Sequence, residues 1–197
     1  MTWPLTTTDE QAMWRVKNGA DPDAFACLVR RWEQPIQRLC ARMTGDVHRG
    51  EDLAQDAFSR VFTRRHDFET SGKFSTWLWR IAINLCHDEL RRRHRRPEVA
   101  LTGPDEDDEG REGRNDLSVA STDPSPGESI EALEQAEHVR RALQHLPDHY
   151  RSVVVFRHYE GLKFSEIAQV LGIPEGTVKS RMSEALSRLA VLLKPRA

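Results

Sequence analysis

The chain has 197 residues, of which 38% are hydrophobic and 30% charged, and its formal net charge is −2. These values are typical of a globular protein of one domain or two small ones, and the charge alone would argue against a nucleic-acid partner. No segment has the roughly 20 consecutive apolar residues of a membrane span, and the polar N-terminus lacks a signal peptide's apolar run, so we expect a cytoplasmic protein without membrane insertion.

Helical periodicity predicts three helices in the first half of the chain. The Asp-Pro pair at 21–22 is typical of an N-cap and a first helical residue, and apolar residues recur at three- to four-residue spacing over 25–43. Pro35 is expected to kink this helix. A second helix is predicted over 46–62 and a third over about 75–96. The residues of the second helix that we expect to face inward are Leu53, Ala57, Phe58, Val61 and Phe62.

The segment 97–127 has the composition of a linker. It carries far more acidic residues than arginines, is rich in Gly, Pro and Ser, and has almost no large apolar side chains. Such a segment cannot bury enough apolar surface to offset the entropy lost on ordering. In the sum of charges, these acids offset the arginine-rich run 91–96. The net charge of −2 is therefore compatible with a basic surface.

Another series of helices is predicted after the linker. An apolar stripe runs over 130–146, and Pro147 is expected to open the next helix, which Gly161 ends. The β-branched run 152–156 is short and has helical neighbours, so we interpret it as buried helix rather than strand.

Residues 163–181 have the pattern of a helix-turn-helix. A short helix with an apolar face is followed by Gly172, which can adopt the positive φ of a sharp turn, and Pro174 helps to start the next helix. The residues expected to face inward are Ile167, Ala168, Leu171 and Val178. Such a unit places its second helix in the DNA major groove, although a solvated face is the alternative for its charged residues taken alone.

Three motifs in this order resemble those of bacterial extracytoplasmic-function sigma factors of the sigma-70 family. They are residues 52–58, residues 68–84 and residues 146–181, which together cover most of the chain outside the linker. The resemblance implies an all-α protein of two small helical domains, 1–96 and 128–197, joined by the flexible acidic linker 97–127. It also implies a non-enzymatic subunit, without cofactor or metal, that directs RNA polymerase core to promoters and assists promoter opening.

The resemblance assigns the first motif to docking on the β′ clamp helices of the polymerase. Asp52, Gln55 and Asp56 fall at i, i+3 and i+4 and therefore share one helix face. An acidic solvated face is the alternative for these residues taken alone. The residues expected to bind the core are Asp52, Gln55, Asp56 and Phe58, with the β subunit as a further contact and an anti-sigma factor as a further partner that the resemblance allows.

In the family, the second motif melts the −10 element and holds a flipped base. Asn84 is the best candidate for bonding a base edge because its amide both donates and accepts, and Lys73 and Arg80 would bind phosphates. We expect Trp77 to belong to the core. The arginines after residue 90 would contact duplex phosphates, or would only make the helix end soluble. The residues expected at the −10 element are Phe68, Lys73, Trp79, Arg80, Asn84, Arg91, Arg92 and Arg95.

The resemblance assigns the third motif to the −35 element, and the residues expected there are Thr177, Lys179, Ser180, Arg181 and Glu184. Two departures from the family pattern matter. Lys163 stands where many members have Ser, so Ser165 must cap the helix instead or the helix start shifts. Glu184 lies where many members are basic; it would read a cytosine, or ionic contact with Lys179 and Arg181 would hold it aside.

Two other functions remain in competition. A helix-turn-helix regulator that acts without polymerase would use the same DNA-binding helix, but it gives no reason for the motif 68–84. A metal-dependent phosphohydrolase is suggested by the adjacent His87 and Asp88, with His66 and His94 nearby. Because neighbouring helical residues point about 100° apart, the remaining metal ligands would have to come from other helices, which offer few His or Asp. Three cysteines without Cys-x-x-Cys spacing indicate neither a disulfide framework nor a zinc knuckle.

Overall fold

The computed structural model describes residues 7–95 and 130–194, and no strand occurs within these ranges. The predicted linker, 97–127, lies outside the described residues. The α-helices of the described ranges are Asp9–Gly19 (α1), Pro22–Thr44 (α2), Val47–Thr63 (α3), Phe74–Arg95 (α4), Ile130–Gln144 (α5), Asp148–Val154 (α6), Phe164–Leu171 (α7) and Glu175–Leu192 (α8). The all-α prediction is therefore confirmed.

Helix α1 was not predicted from the sequence. Its start is a capping box in which the Thr8 hydroxyl accepts from the Gln11 backbone N–H and the Gln11 side chain accepts from the Thr8 N–H, both at 3.2 Å. Ala12, Met13 and Val16 on its inner face are fully buried. The Thr-x-x-Gln spacing followed by these apolar residues was the signal that could have revealed it.

Helices α2 and α3 form the centre of the N-terminal unit. The Asp21 carboxylate caps α2 as predicted, accepting from the N–H groups of Asp23 and Ala24 at 3.0 Å each. Helix α2 continues through Pro35 to Thr44. Gly50 lets α3 approach α2 closely, since a Cβ at this position would lie 2.7 Å from the backbone nitrogen of Ala41.

Phe62 does not face inward as predicted. Its side chain is 36% exposed, while Leu53, Ala57, Phe58 and Val61 are buried. Its ring contacts that of Phe25, with the centroids 5.2 Å apart. The Arg65 guanidinium lies over the Phe62 ring, 4.9 Å from its centroid. Phe62 lies at the end of α3, where no further helix covers it in the described chain.

The C-terminal unit has the predicted helix-turn-helix. Gly172 has a φ of +66° at the turn, Pro174 precedes α8, and Ile167 and Val178 are fully buried. Ala168 and Leu171 are half-buried, and Val170 fills the inner position instead. Ser165 is not the cap of α7: it lies inside the helix, and the Glu166 carboxylate accepts from the N–H of Lys163 at 3.0 Å.

The run 152–156 is buried helix, as predicted. It belongs to α6 and to a π-helical turn, Val155–Tyr159, that extends α6 towards Gly161, whose φ is +69°. Pro147 is the N-cap of α6. This segment inserts between the helix-turn-helix and helices α2 and α4, so it forms the centre of the contact between the two units.

Arg151 joins the ends of two helices from different units. Its side chain is buried, and it donates to the carbonyl oxygens of Leu143 at 3.0 Å, Gln144 at 2.7 Å and Leu146 at 2.9 Å. It also donates to the carbonyl oxygen of Met43 in the last turn of α2. Carbonyls at helix C-termini lack partners within the helix and carry partial negative charge, so one guanidinium stabilises both ends.

Candidate polymerase and nucleic-acid interfaces

Helix α3 presents the predicted acidic face to solvent. Asp52, Gln55 and Asp56 are exposed, while Leu53 and Ala57 on the opposite side are buried. The geometry follows from the helical repeat, which brings positions i, i+3 and i+4 to one side. The structure therefore brings these three polar residues together on one accessible surface.

Phe58 does not belong to this face. Its side chain is 7% exposed and packs in the core of the N-terminal unit. Ala54, Ala57 and Val61 of the same helix belong to this buried cluster. Phe58 is buried in this conformation, and its contact with the polymerase stays a prediction.

A buried carboxylate organises the end of α4. Glu89, whose side chain is 7% exposed, accepts from Arg49 at 2.9 Å, pairs with Arg92 at 2.5 Å and accepts from Arg93 at 3.3 Å. The hydrogen bond from Arg49 lowers the pKa of the Glu89 carboxyl. The Arg49 guanidinium also pairs with Asp52 at 3.2 Å, and so links Glu89 of α4 to the acidic face of α3.

The arginines at the end of α4 are exposed but not all unpaired. Arg91 pairs with Asp88 at 2.5 Å, and Arg92 is held by Glu89. Both remain about three-fifths exposed, and Arg95 is exposed in the last turn. The Arg91–Asp88 pair lies at the surface and is weak, whereas Arg92 pairs with a buried carboxylate.

The loop before α4 is held by the unpredicted helix α1. Lys17 donates its ammonium to the carbonyl of Phe68 at 2.6 Å, and the Glu10 carboxylate accepts from the N–H of Phe74 at 3.2 Å. The Phe68 ring is only 1% exposed and contacts Phe74 and Trp77, with centroids 6.2 and 5.4 Å away. Phe68 is therefore a core anchor of this loop, and its contact with −10 DNA stays a prediction.

Trp79 is likewise buried. It is 5% exposed and makes edge contacts with Trp32 and Phe156, with centroids 5.5 and 5.8 Å away. Because Phe156 belongs to the C-terminal unit, the periodicity of α4 alone could not reveal this contact. The ring of Trp79 is covered in this arrangement, and its contact with the −10 element stays a prediction. Trp77, expected in the core, packs against Phe68 and Phe74.

The remaining −10 candidates lie along one side of α4, and helix α7 reaches two of them. Lys73 pairs with Glu166 at 3.3 Å, and Arg80 donates to the carbonyl of Gln169 at 2.5 Å. Asn84, one turn after Arg80, is exposed. The first helix of the helix-turn-helix thus contacts both cations, while both side chains remain exposed.

The recognition helix α8 exposes polar residues near its start. Lys179 and Ser180 are exposed and Thr177 is half-exposed, as an interface in the major groove requires. Lys179 pairs with Glu175 at 2.7 Å, one turn earlier. The Ser180 hydroxyl donates to the Thr177 carbonyl at 3.0 Å, which fixes its orientation.

Glu184 is held by a different cation from those predicted. Its carboxylate accepts from the Nε of Arg188 at 2.8 Å, and both side chains are 47% exposed. Arg188 also lies over the Tyr150 ring, 4.9 Å from its centroid. The prediction that Lys179 and Arg181 hold Glu184 aside is wrong; Arg188 follows at i+4, where a Glu and an Arg pair readily.

Arg181 faces the junction between the units, near His87. The Nε2 atom of His87 is buried without a hydrogen-bond partner, and burial lowers the pKa of this imidazole. Arg91 and Arg181 lower it further, while Asp148 and Asp88 oppose them.

The described ranges contain neither a metal-binding group of side chains nor a membrane-spanning helix. No group of three or more His, Cys, Asp or Glu side chains is placed to hold a metal ion. None of the helices is sufficiently long and apolar to cross a membrane.

Two family models match separate parts of the chain. Residues 28–96 match the family model Sigma-70 region 2, and residues 136–189 match the model Sigma-70, region 4. The extracytoplasmic-function sigma factor SigW of Bacillus subtilis is 38% identical over 181 residues, which cover 91% of this chain and 94% of SigW. The sigma-H factor of Pseudomonas aeruginosa is 35% identical over 188 residues, covering 95% and 94%.

Solved structures share the fold. CnrH in complex with the cytosolic domain of CnrY superposes with a TM-score of 0.66 at 23% identity, covering 94% of this chain and 96% of CnrH. The sigma factor RpoE of Bartonella quintana, in complex with the anti-sigma factor NepR, superposes with a TM-score of 0.63 at 21% identity, covering 88% and 98%.

Proposed function

The chain belongs to the sigma-70 family of RNA polymerase sigma factors, in its extracytoplasmic-function class, and on this premise we propose which residues carry out its work. It directs RNA polymerase core to a class of promoters and assists their opening. The observation that carries this conclusion is the presence of both region 2, at 28–96, and region 4, at 136–189, in one chain. Its domains are 1–96 and 128–197, joined by 97–127.

Its work is binding rather than chemistry. Contacts with polymerase and promoter offset the cost of unpairing the −10 region, so no catalytic residue, metal or cofactor is needed. The protein acts with the polymerase in the bacterial cytoplasm. An anti-sigma factor that binds the free chain is a further partner, as NepR is for the RpoE of Bartonella quintana.

The acidic face of α3, formed by Asp52, Gln55 and Asp56, docks on the β′ clamp helices of the core enzyme. Its support is the exposure of all three residues beside a buried opposite side. Asp56→Lys should abolish co-purification with core polymerase while helix content stays unchanged. Glu33→Lys on the exposed side of α2 makes the same change of charge elsewhere and serves as the control. Equal core binding by both variants would rule out this face.

Asn84 bonds a base of the separated −10 strand, and Lys73 and Arg80 hold its backbone. The exposure of the Asn84 amide on the same side of α4 as these cations supports this role. Asn84→Ala should cost about 1–3 kcal/mol of discrimination between −10 sequences, as loss of direct base readout does. Transcription by the reconstituted holoenzyme from a library of −10 sequences measures it. An unchanged preference at every position would contradict the role of Asn84.

Thr177, Lys179 and Ser180 on the recognition helix bind the −35 element. Their exposure at the start of α8 fits the geometry in which a recognition helix enters the groove with its N-terminal end. DNA binding should depend on core polymerase, because each unit alone makes few phosphate contacts and the polymerase is expected to set the spacing of the two units on the promoter. A strong promoter footprint by the free protein at physiological salt would instead favour a regulator that acts without polymerase.

A further inference from the structure

We propose that Glu89 is a positioning residue that distributes three arginines between two binding surfaces of the N-terminal unit. It draws Arg49 away from the acidic face of α3, which keeps the charge of that face available to the polymerase. It also holds Arg92 and Arg93 back from promoter phosphates. The inference rests on the proposed docking of the acidic face and on the phosphate contacts predicted for the arginines at the end of α4, and it deepens both.

The position of Glu89 allows it to bind all three arginines at once. Its side chain is buried, and Arg92 and Arg93 follow it at i+3 and i+4, on the same side of α4. Arg49 reaches it from α3. A carboxylate has about four acceptor sites on its two oxygens. One oxygen, Oε2, contacts Arg49 and Arg92, while Oε1 accepts from Arg93.

Arg49 is shared between a buried acid and an exposed one. Its two terminal nitrogens bond Glu89 at 2.9 Å and Asp52 at 3.2 Å, and its Nε has no hydrogen-bond partner within the described residues. The Asp52 side chain is 63% exposed, so water screens its attraction far more than that of Glu89. The hydrogen bond with Glu89 is accordingly the main cause that raises the pKa of Arg49, ahead of Asp52. Glu89 therefore compensates most of the Arg49 charge, and Asp52 keeps most of its own.

Arg92 and Arg93 are restrained by the same carboxylate. Arg92 pairs with Glu89 at 2.5 Å. Arg93 donates to Glu89 at 3.3 Å and to the Thr44 carbonyl at 3.5 Å, and it lies 3.6 Å from Asp46, the N-cap of α3. A phosphate has to replace these charge-assisted contacts before it can bind either guanidinium fully. Both side chains are partly exposed, so they can turn outwards once Glu89 no longer attracts them.

Loss of the Glu89 charge should therefore change the two surfaces in opposite directions. Arg49, without its buried partner, would turn its charge to Asp52, and this pair would have to break before the acidic face could dock. Arg92 and Arg93 would become available to phosphates. A residue that only supports the fold predicts a different outcome, because its loss would weaken both interactions together.

The test compares Glu89→Gln, Arg49→Gln and the double variant in the full chain. Glutamine has nearly the size of glutamate and keeps an acceptor oxygen, but it carries no charge. Affinity for core polymerase is measured by competition with the labelled parent chain. The salt dependence of binding to promoter duplex is measured with core polymerase saturated by each variant. Urea unfolding reports the stability of each variant.

Glu89→Gln should weaken core binding about two- to fivefold, as expected for one ion pair at a surface. It should also steepen the slope of log affinity against log salt by about one to two units, one for each arginine that gains a phosphate. Arg49→Gln should bind core at least as tightly as the parent, although it also removes a partner of the buried carboxylate. The double variant should regain the core affinity that Glu89→Gln loses, because no cation remains beside Asp52.

Asp88→Asn is the matched control for core binding. It removes a carboxylate from the same end of α4, but Asp88 is exposed and pairs with Arg91 rather than with Arg49. Its core affinity should equal that of the parent. Weaker core binding in both Glu89→Gln and Arg49→Gln would show that the contact only supports the fold, and would overturn the proposal. A salt slope of Glu89→Gln equal to that of the parent would overturn it as well.

Asp56→Lys in the same competition assay separates this inference from the proposed docking. If Asp56→Lys loses core binding while Glu89→Gln and Arg49→Gln both keep the parent's affinity, the acidic face docks and the role of Glu89 alone is overturned. If Asp56→Lys keeps its core binding, the docking face itself is refuted, and the role of Glu89 towards that face is refuted with it.

Discussion

Gly50 offers a sharp test of how helix α3 is positioned. A Cβ added at this residue would lie 2.7 Å from the backbone nitrogen of Ala41 and 2.9 Å from its Cα, closer than real Cβ atoms come. Both obstacles lie in the main chain of α2, which cannot shift without moving a helix packed on α1, α3 and α4. Overpacking of this kind costs about 1–3 kcal/mol.

Gly50→Ala also gains about 0.5–1 kcal/mol from the better helix propensity of alanine. We therefore expect the free energy of unfolding to fall by about 1 kcal/mol, the difference between the middle values of these two ranges. Urea unfolding followed by tryptophan fluorescence measures it. All five tryptophans precede residue 80, so this signal comes from the N-terminal unit.

Gly19→Ala is the matched control, because Gly19 also lies in a helix but a Cβ there would meet nothing within 4 Å. This variant should be as stable as the parent or up to about 1 kcal/mol more stable. If Gly50→Ala behaves like Gly19→Ala, the close approach of α2 and α3 is not what requires glycine. The orientation of the acidic face, which α3 carries, would then have another origin.

Three further predictions concern the described ion and hydrogen-bond contacts. Arg151→Met should lower the free energy of unfolding by at least about 1–3 kcal/mol in urea, since buried carbonyls lose their donor; equal stability would refute the bridging role. Because burial lowers the pKa of His87, its contribution to stability is present above the ordinary histidine pKa of about 6.5 and is lost as the pH falls below it. His87→Gln should flatten the fall of the melting temperature between about pH 7 and 5, and an unchanged slope would exclude His87 as its source. Glu184→Arg should strengthen binding of the holoenzyme to −35 duplex, steepen the slope of log affinity against log salt by about one unit, and alter the preference at one base position. A library of randomised −35 sequences measures these changes. The same preferred bases and the same salt slope for both proteins would mean that residue 184 lies outside the groove.

Features that depend on residues near one another in the chain were predictable. The N-cap at Asp21, the turn at Gly172 and the shared side of Asp52 and Asp56 all follow from helical spacing and backbone preference. The Thr8 capping box is a signal of the same local kind. Because such signals act over three or four residues, they need no knowledge of how the helices pack.

The tertiary structure alone decided which aromatic and charged side chains are accessible. Trp79 is covered by Phe156, far away in the chain, and Arg151 reaches the Met43 carbonyl across 108 positions. Composition and spacing mark Phe68 and Trp79 equally well as DNA contacts and as core residues, because a ring suits a base stack and a buried cluster alike. Their burial depends on long-range packing of helices that no local pattern specifies, and the occupation of Arg80 by α7 depends on that same packing.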